Sequence, residues 1–281
     1  MSLLFFTILK LCVLITFAYD IDYMHPKVDP VDVKTYEKNF GWAVGIFKHV
    51  KHNKLFICQG ALINPTVVLA PGLCITKGTR LSHLKVHSYD PIISQPKRNL
   101  NLPISHVERN VVKIFYHWKS THDDRTTVSK RNLIMMVLDI AIIYYPAIGI
   151  LQPSMEKSVN YDGCLLVSLF DHIRSPVILE KRNATYMEVS KCQSKSIITP
   201  INEARFSETP ETTLCAAFNE IIAKPLPIGS TLICRYNEDP ATLFLAAMLL
   251  KHNQHWSKHL KIEGTASWIN KTLNEYKKNT N

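Results

Sequence analysis

The residue types able to do chemistry in this chain are its 7 cysteines, its 12 histidines and a small number of acidic and hydroxyl groups. Cys58, Cys74, Cys164, Cys192, Cys215 and Cys234 form an even set once Cys12, which lies in an apolar leader, is set aside. An even set in an exported chain predicts up to three disulfides, with the connectivity left open. There is no C-x-x-C pair, so a zinc ribbon is not supported. His252, His255 and His259 in HNQHWSKH have i, i+3, i+7 spacing, which on a helix would gather them around zinc. No acidic or cysteine ligand accompanies them, so the reading preferred here is an exposed loop, with no metal and no cofactor. Ser230 is read as a serine in a turn entering a strand: no histidine lies in the 67–74 segment, His83 and His87 would sit on a following strand, and a hydroxyl without a base is a poor nucleophile. Asn183-Ala184-Thr185 and Asn270-Lys271-Thr272 are candidate glycan acceptors, whereas Pro65 spoils Asn64-Pro65-Thr66.

The elements that must position these groups follow from composition and pattern. The chain has 281 residues, 46% of them hydrophobic and 20% charged, which excludes a disordered polymer. Its 9 Gly and 15 Pro show no period, which excludes collagen and Pro/Gly low complexity. Residues 3–18 read as a secretory leader ending at Ala18, short for a membrane span and interrupted by Lys10. The run LIMMVLDIAIIYYPAIGI (133–150) has spanning length, but Asp139 and Pro146 make it a core strand followed by a turn. No membrane span is therefore expected. Short apolar runs at close spacing recur through both halves: WAVGIF, KLFICQGALI, TVVLA, LKVHSY and VVKIFYHW, then CLLVSLF, TTLCAAF, STLICRY and ATLFLAAMLL. They predict an all-β chain of two β-rich halves, about 40–145 and 160–262. In GTASWINKTLNEYKK (264–278) the period changes, and Ala266, Ile269 and Leu273 would share one helical face.

Taken in order, several fragments resemble the trypsin-like serine proteases. They are Phe40-Gly41-Trp42-Ala43-Val44, Cys58-Gln59-Gly60-Ala61-Leu62-Ile63 and Val67-Val68-Leu69-Ala70-Pro71-Gly72-Leu73-Cys74, the last two similar to CGGALI…VLTAAHC. Leu138-Asp139-Ile140-Ala141-Ile142 looks like the strand bearing the triad aspartate. Cys164-Leu165-Leu166-Val167-Ser168, Leu214-Cys215-Ala216-Ala217 and Trp268-Ile269 resemble later motifs, so the similarity spans about 40–275. It implies two packed six-stranded β-barrels with a C-terminal helix, and the bridges Cys58–Cys74, Cys164–Cys234 and Cys192–Cys215.

The departures carry the functional expectation. Leu73 stands where the family has its catalytic histidine, and Ile228 where it has the nucleophilic serine, if Leu226-Pro227-Ile228-Gly229-Ser230 is matched to the family's GDSGG. Asp139 alone of the triad remains, read as a buried carboxylate satisfied by backbone or hydroxyl donors. Pro225 and Pro227 remove backbone donors around the oxyanion position, and no activation site precedes Phe40, although Lys34 and Lys38 are basic. The specificity pocket lacks its bridge, with Lys224 at the first cysteine position, Ile222 near the base and Leu249-Leu250-Lys251 at the substrate edge.

The resemblance thus implies a catalytically inactive, secreted serine protease homologue, similar to those of arthropods but without a clip domain. Its expected organisation is a signal peptide (1–18), an extension without activation site (19–39), an inactive peptidase-like domain (40–275) and a tail (276–281). The expected partner is an extracellular protein: a protease, a pro-enzyme or an inhibitor. A formal net charge of +10, one unit lower after loss of Lys10, keeps a polyanion-binding protein as the alternative. Its candidate patches are Lys48, His49, Lys51, His52 and Lys54, and Lys251 to Lys261. A hydrolase with a rearranged site is a further alternative. Nucleic acid is not an expected partner, because the chain carries no recognition motif.

Overall fold

The computed structural model describes residues 40–50, 53–75, 79–89, 106–118, 131–143, 148–150, 159–172, 175–194, 213–219, 221–222, 225–239 and 242–280. The leader, the extension with Lys34 and Lys38, the patch residues Lys51 and His52, and Lys224 lie outside the described residues. Among those described, no helix is long and apolar enough to cross a membrane.

Twelve antiparallel strands close into two barrels. The first contains β1 (Ala43–Val50), β2 (Asn53–Asn64), β3 (Val67–Pro71), β4 (Leu84–Tyr89), β5 (His106–Trp118) and β6 (Arg131–Leu138), in the spatial order β1-β2-β3-β6-β5-β4. The second contains β7 (Val159–His172), β8 (Ser175–Met187), β9 (Thr213–Ala217), β10 (Thr231–Tyr236), β11 (Leu243–His252) and β12 (Trp256–Lys261), ordered β10-β11-β12-β9-β8-β7. Six strands in each ring match the expectation, and the architecture is consistent with the trypsin-like fold. Closure removes the exposed edges that open sheets must otherwise protect.

Two strands were not evident from the sequence. β8 carries Glu180-Lys181-Arg182-Asn183 in its middle, so its apolar run is only the three residues Val177-Ile178-Leu179. β12 is Trp256-Ser257-Lys258-His259-Leu260-Lys261, five of whose six residues are buried although half are basic. The pairing that fixes β12 runs on both sides, to β11 and to β9. β6, by contrast, is buried from Leu133 through Leu138, as its unbroken apolar run predicts. It ends at Leu138; beyond it, the described residues of the 133–150 run are outside the named strands, with Ile150 in an isolated bridge to Leu245.

A short helix, α1 (Val189–Ser194), follows β8, and α2 (Ala266–Thr280) closes the chain. Ala266, Ile269 and Leu273 are all buried, on one face as expected. The helix continues beyond residue 275 to Thr280, so residues 276–280 of the segment assigned as a tail belong to it. That buried face joins a core cluster that fills the first barrel and also takes in Val167, Ile233, Leu245, Met248 and Leu260 of the second. Phe115 of β5 meets Tyr276 edge-on at 6.2 Å, and His117 lies 5.0 Å from the ring of Trp268.

Three disulfides join Cys58 to Cys74, Cys164 to Cys234 and Cys192 to Cys215, the pairs that the family resemblance implied. The first lies in the first barrel and the other two in the second. Polar groups help to lock the barrels together. Gln59 of β2 is fully buried, its amide Nε2 donates to the Val167 carbonyl at 3.1 Å, and its Oε1 accepts from Leu169 N at 2.8 Å. Every polar atom of that side chain thus reaches the second barrel, which is what makes its burial tolerable.

Candidate binding cleft

At the junction of the barrels, β3 runs into a single 3-10 turn, Gly72–Cys74, pinned by the Cys58–Cys74 bridge. Leu73 sits on this turn, half-buried. Across the junction lies the turn Pro227-Ile228-Gly229-Ser230, whose Ile228 carbonyl accepts from Gln59 N at 2.9 Å. Leu73 and Ile228 therefore belong to neighbouring segments. Ile228 is 38% exposed, an apolar side chain presented to solvent.

The shape of this turn is dictated by Gly229. Its φ of +84° lies in the left-handed region, and a Cβ there would stand 1.9 Å from the Gln59 carbonyl oxygen. Three donors of the turn are engaged within the protein. Gly229 N donates to the Leu249 carbonyl at 2.9 Å, and Ser230 N and Oγ both donate to the Pro227 carbonyl, at 3.1 and 2.7 Å. Ser230 is fully buried, and its hydroxyl serves the turn.

Leu226 is the one residue between the two prolines, and its N–H donates to His252 Nε2 at 2.8 Å. That bond fixes the tautomer: Nε2 accepts, so Nδ1 carries the proton and donates to the Asn253 carbonyl at 3.2 Å. His252 is held at the end of β11 by a tight hairpin in which Asn253 Oδ1 accepts from His255 N and Trp256 N, at 2.8 and 2.9 Å. Ile222, expected near the pocket base, is buried and donates its N–H to the Gln254 carbonyl of this hairpin. Leu249 is buried and Leu250 half-buried on β11, with Lys251 exposed.

Several expectations need correction. His252, His255 and His259 lie on a β-hairpin, neither on a helix nor in a wholly exposed loop. Only His255 is exposed; His259 is fully buried, with Nε2 2.6 Å from Ser257 Oγ. Burial, and then the nearby His252, push its pKa down to about 3. The hairpin strand also divides the basic run from Lys251 to Lys261, because Lys258 is buried. The first patch keeps Lys48 and His49, half-buried, and Lys54, exposed with its Nζ 4.2 Å above the Phe47 ring.

Asp139 is the largest correction. It is exposed, not buried, and sits just past the end of β6. β3 and β6 pair antiparallel, with Pro71 opposite Leu133 and Val67 opposite Val137. The residue alongside the Leu73 turn is therefore Leu133, and Asp139 lies six strand positions away, about 20 Å at the rise of a β-strand. Asp139 instead accepts from Asn110 N at 3.0 Å, from Ile140 N at 2.9 Å and from the Asn110 side-chain amide. Partial desolvation pushes its pKa upward, but those donors outweigh it and hold the carboxylate below its ordinary value. The junction thus brings Leu73, Leu133 and Ile228 into one region and leaves Asp139 at the far end of the barrel.

The glycan candidates are placed differently from one another: Asn183 is exposed on β8, while Asn270 is half-buried within α2. Two residues that shape the junction, Gln59 and His252, were not singled out for that role by the sequence. The signal for Gln59 was a long amide inside an otherwise apolar strand; for His252 there was none.

No protein-family model matches this chain, and no curated protein matches it either. The likeness to trypsin-like proteases stands on the two barrels, the three bridges and the order of short motifs.

Proposed function

We propose that this chain is a secreted, non-catalytic homologue of the trypsin-like serine proteases. It acts by binding an extracellular protein (a protease, a pro-enzyme or an inhibitor) as a cofactor, scaffold or decoy. The observation that carries the reading is the chemistry of the junction. Acyl transfer needs a nucleophile, a base within hydrogen-bond reach and N–H donors aimed at the developing oxyanion. Leucine, leucine and isoleucine at 73, 133 and 228 offer neither base nor nucleophile, and His252 accepts the N–H of Leu226. An exposed Ile228 on a rigid turn suits contact with a protein surface better than catalysis. The net charge of +10 favours the alternative, capture of a polyanion, but the burial of Lys258 breaks one of its two candidate faces.

The test has two arms. A serine-directed fluorophosphonate should leave the folded protein unlabelled, and the triple variant Leu73→His, Leu133→Asp, Ile228→Ser should show no peptide turnover. Labelling of the wild type, or turnover by the variant, returns the chain to the hydrolases. In the second arm, tagged protein is incubated with its native extracellular fluid and washed in high salt. A stoichiometric protein retained there supports the binding role; release by salt with only polyanion recovered supports the alternative.

A further inference from the structure

The outer face of the first barrel gathers side chains that the junction does not use. On a strand, alternate residues share a face. Val44 and Ile46 of β1 point into the core, so Gly45, Phe47 and His49 lie on the opposite side. Gly45 pairs with His87 of β4, and His87 pairs with Glu108 of β5. A Cβ on Gly45 would stand 2.7 Å from the Phe47 ring, so its absence lets that ring lie flat against the sheet. Phe47 then covers His87 from one side, with ring centroids 4.3 Å apart, and the His49 ring approaches to 5.6 Å. His87 is left 1% exposed, with Nε2 3.1 Å from Glu108 Oε2.

One ring nitrogen of each histidine and one carboxylate oxygen of Glu108 all lie within 4.8 Å of one another, the one such cluster among the described residues. His49 Nε2 is shielded from solvent and has no hydrogen-bond partner. Such a group costs free energy unless something accepts its lone pair or its proton.

We propose that His49, His87 and Glu108 form a binding site for a divalent d-block cation, Zn2+ foremost, with solvent at the fourth position. Two imidazoles and one carboxylate are a donor set of the zinc class, whereas calcium and magnesium take oxygen ligands. Tetrahedral bonds of about 2.0–2.2 Å set neighbouring ligand atoms roughly 3.3–3.5 Å apart. The His87–Glu108 pair is already near that separation, and His49 needs a shift of about 1 Å. Desolvation lowers the pKa of His49, with Glu108 opposing and Lys54 and Lys85 reinforcing the shift. Glu108, 38% exposed, leaves a route for entry. Lys85 works against the cation: its Nζ is 3.4 Å from Glu108 Oε1, the oxygen that His87 does not use. The sequence concealed this site, since its ligands come from three strands and two of them from stretches that read as basic or apolar.

The experiment is a titration of chelator-treated, disulfide-intact full chain with ZnCl2, read by competition with a chromophoric chelator. The expected result is one equivalent bound with micromolar or tighter affinity. Glu108→Gln and His49→Ala should each weaken it about 10- to 100-fold, and Lys85→Gln should tighten it severalfold at low salt. Both ligand substitutions fall outside the core, and circular dichroism checks that they fold. Absence of binding by the wild type, or binding unchanged in both ligand variants, overturns the proposal. The latter outcome would mark the exposed hairpin histidine as the binder.

Discussion

The junction between the barrels and the outer face of the first barrel bury the same residue types for opposite purposes. At the junction polar groups turn inward to one another: Gln59 to Val167 and Leu169, Leu226 to His252, Ser230 to Pro227. His259 on β12 has the Ser257 hydroxyl beside its Nε2, and burial disfavours its charged form. On the outer face, His87 is nearly as buried but stands 3.1 Å from a carboxylate, with lysines close by. Burial does not by itself decide whether a histidine can carry or bind positive charge; its nearest partner does. The junction turns its polar groups on one another, while the flank keeps a histidine beside a carboxylate.

If the junction is rigid because its turn is over-determined, Gly229→Ala should produce the largest change. The added methyl would meet the Gln59 carbonyl at a φ that alanine rarely adopts, and at least about 3 kcal/mol of stability should be lost. Gly264→Ala is the control, since a Cβ there meets nothing within 4 Å, and its urea midpoint should move by less than about 0.5 kcal/mol equivalent. Equal effects from the two would remove the claim that the turn is special.

A smaller loss is expected from Gln59→Leu, which fills similar space but leaves Leu169 N and the Val167 carbonyl without their partner across the junction. The cost should be about 2 kcal/mol, with hydrogen exchange at Leu169 accelerating more than within β5 or β6. Uniform acceleration across both barrels would show that Gln59 supports general stability and not the junction.

The pH dependence gives the gentlest test. The unfolded His259 protonates near its ordinary pKa of about 6.5, whereas the folded one resists until about 3. Its contribution is therefore complete above about pH 6.5 and is lost progressively as the pH falls from there toward the folded value, by up to about 1.4 kcal/mol per pH unit. Denaturation midpoints of wild type and His259→Gln should converge on acidification. Parallel curves would mean that His259 is not the group that sets the slope.

How far the sequence revealed this molecule depended on where its information was stored. Strands with an apolar face or an apolar run, such as β1, β3 and β10, could be read directly, as could the period of α2. β12 could not, because Lys258 and His259 are buried by two-sided pairing and not by their own hydrophobicity. Asp139 was misplaced because a three-letter likeness carries no register; the pairing of Pro71 with Leu133 does. Leu73 and Ile228 were identified as departures, but the seal that His252 places on Leu226 is a contact between distant segments. The cluster of His49, His87 and Glu108 was hidden for the same reason.

The course of the bridges and of α2 bears on what happens when this chain is cut. None of the three disulfides among the described residues joins one barrel to the other, so a protease acting between β6 and β7 would yield two fragments that these bridges do not link. The second fragment, however, carries α2, whose Ala266, Ile269 and Leu273 share a core cluster with the first barrel and whose Tyr276 and Trp268 meet Phe115 and His117 of β5. A nicked molecule would thus remain assembled under native conditions and separate only on denaturation, without any need for a reductant. The helix makes the two halves a complementing pair, and an intact mobility on a native gel would be no evidence of an intact backbone.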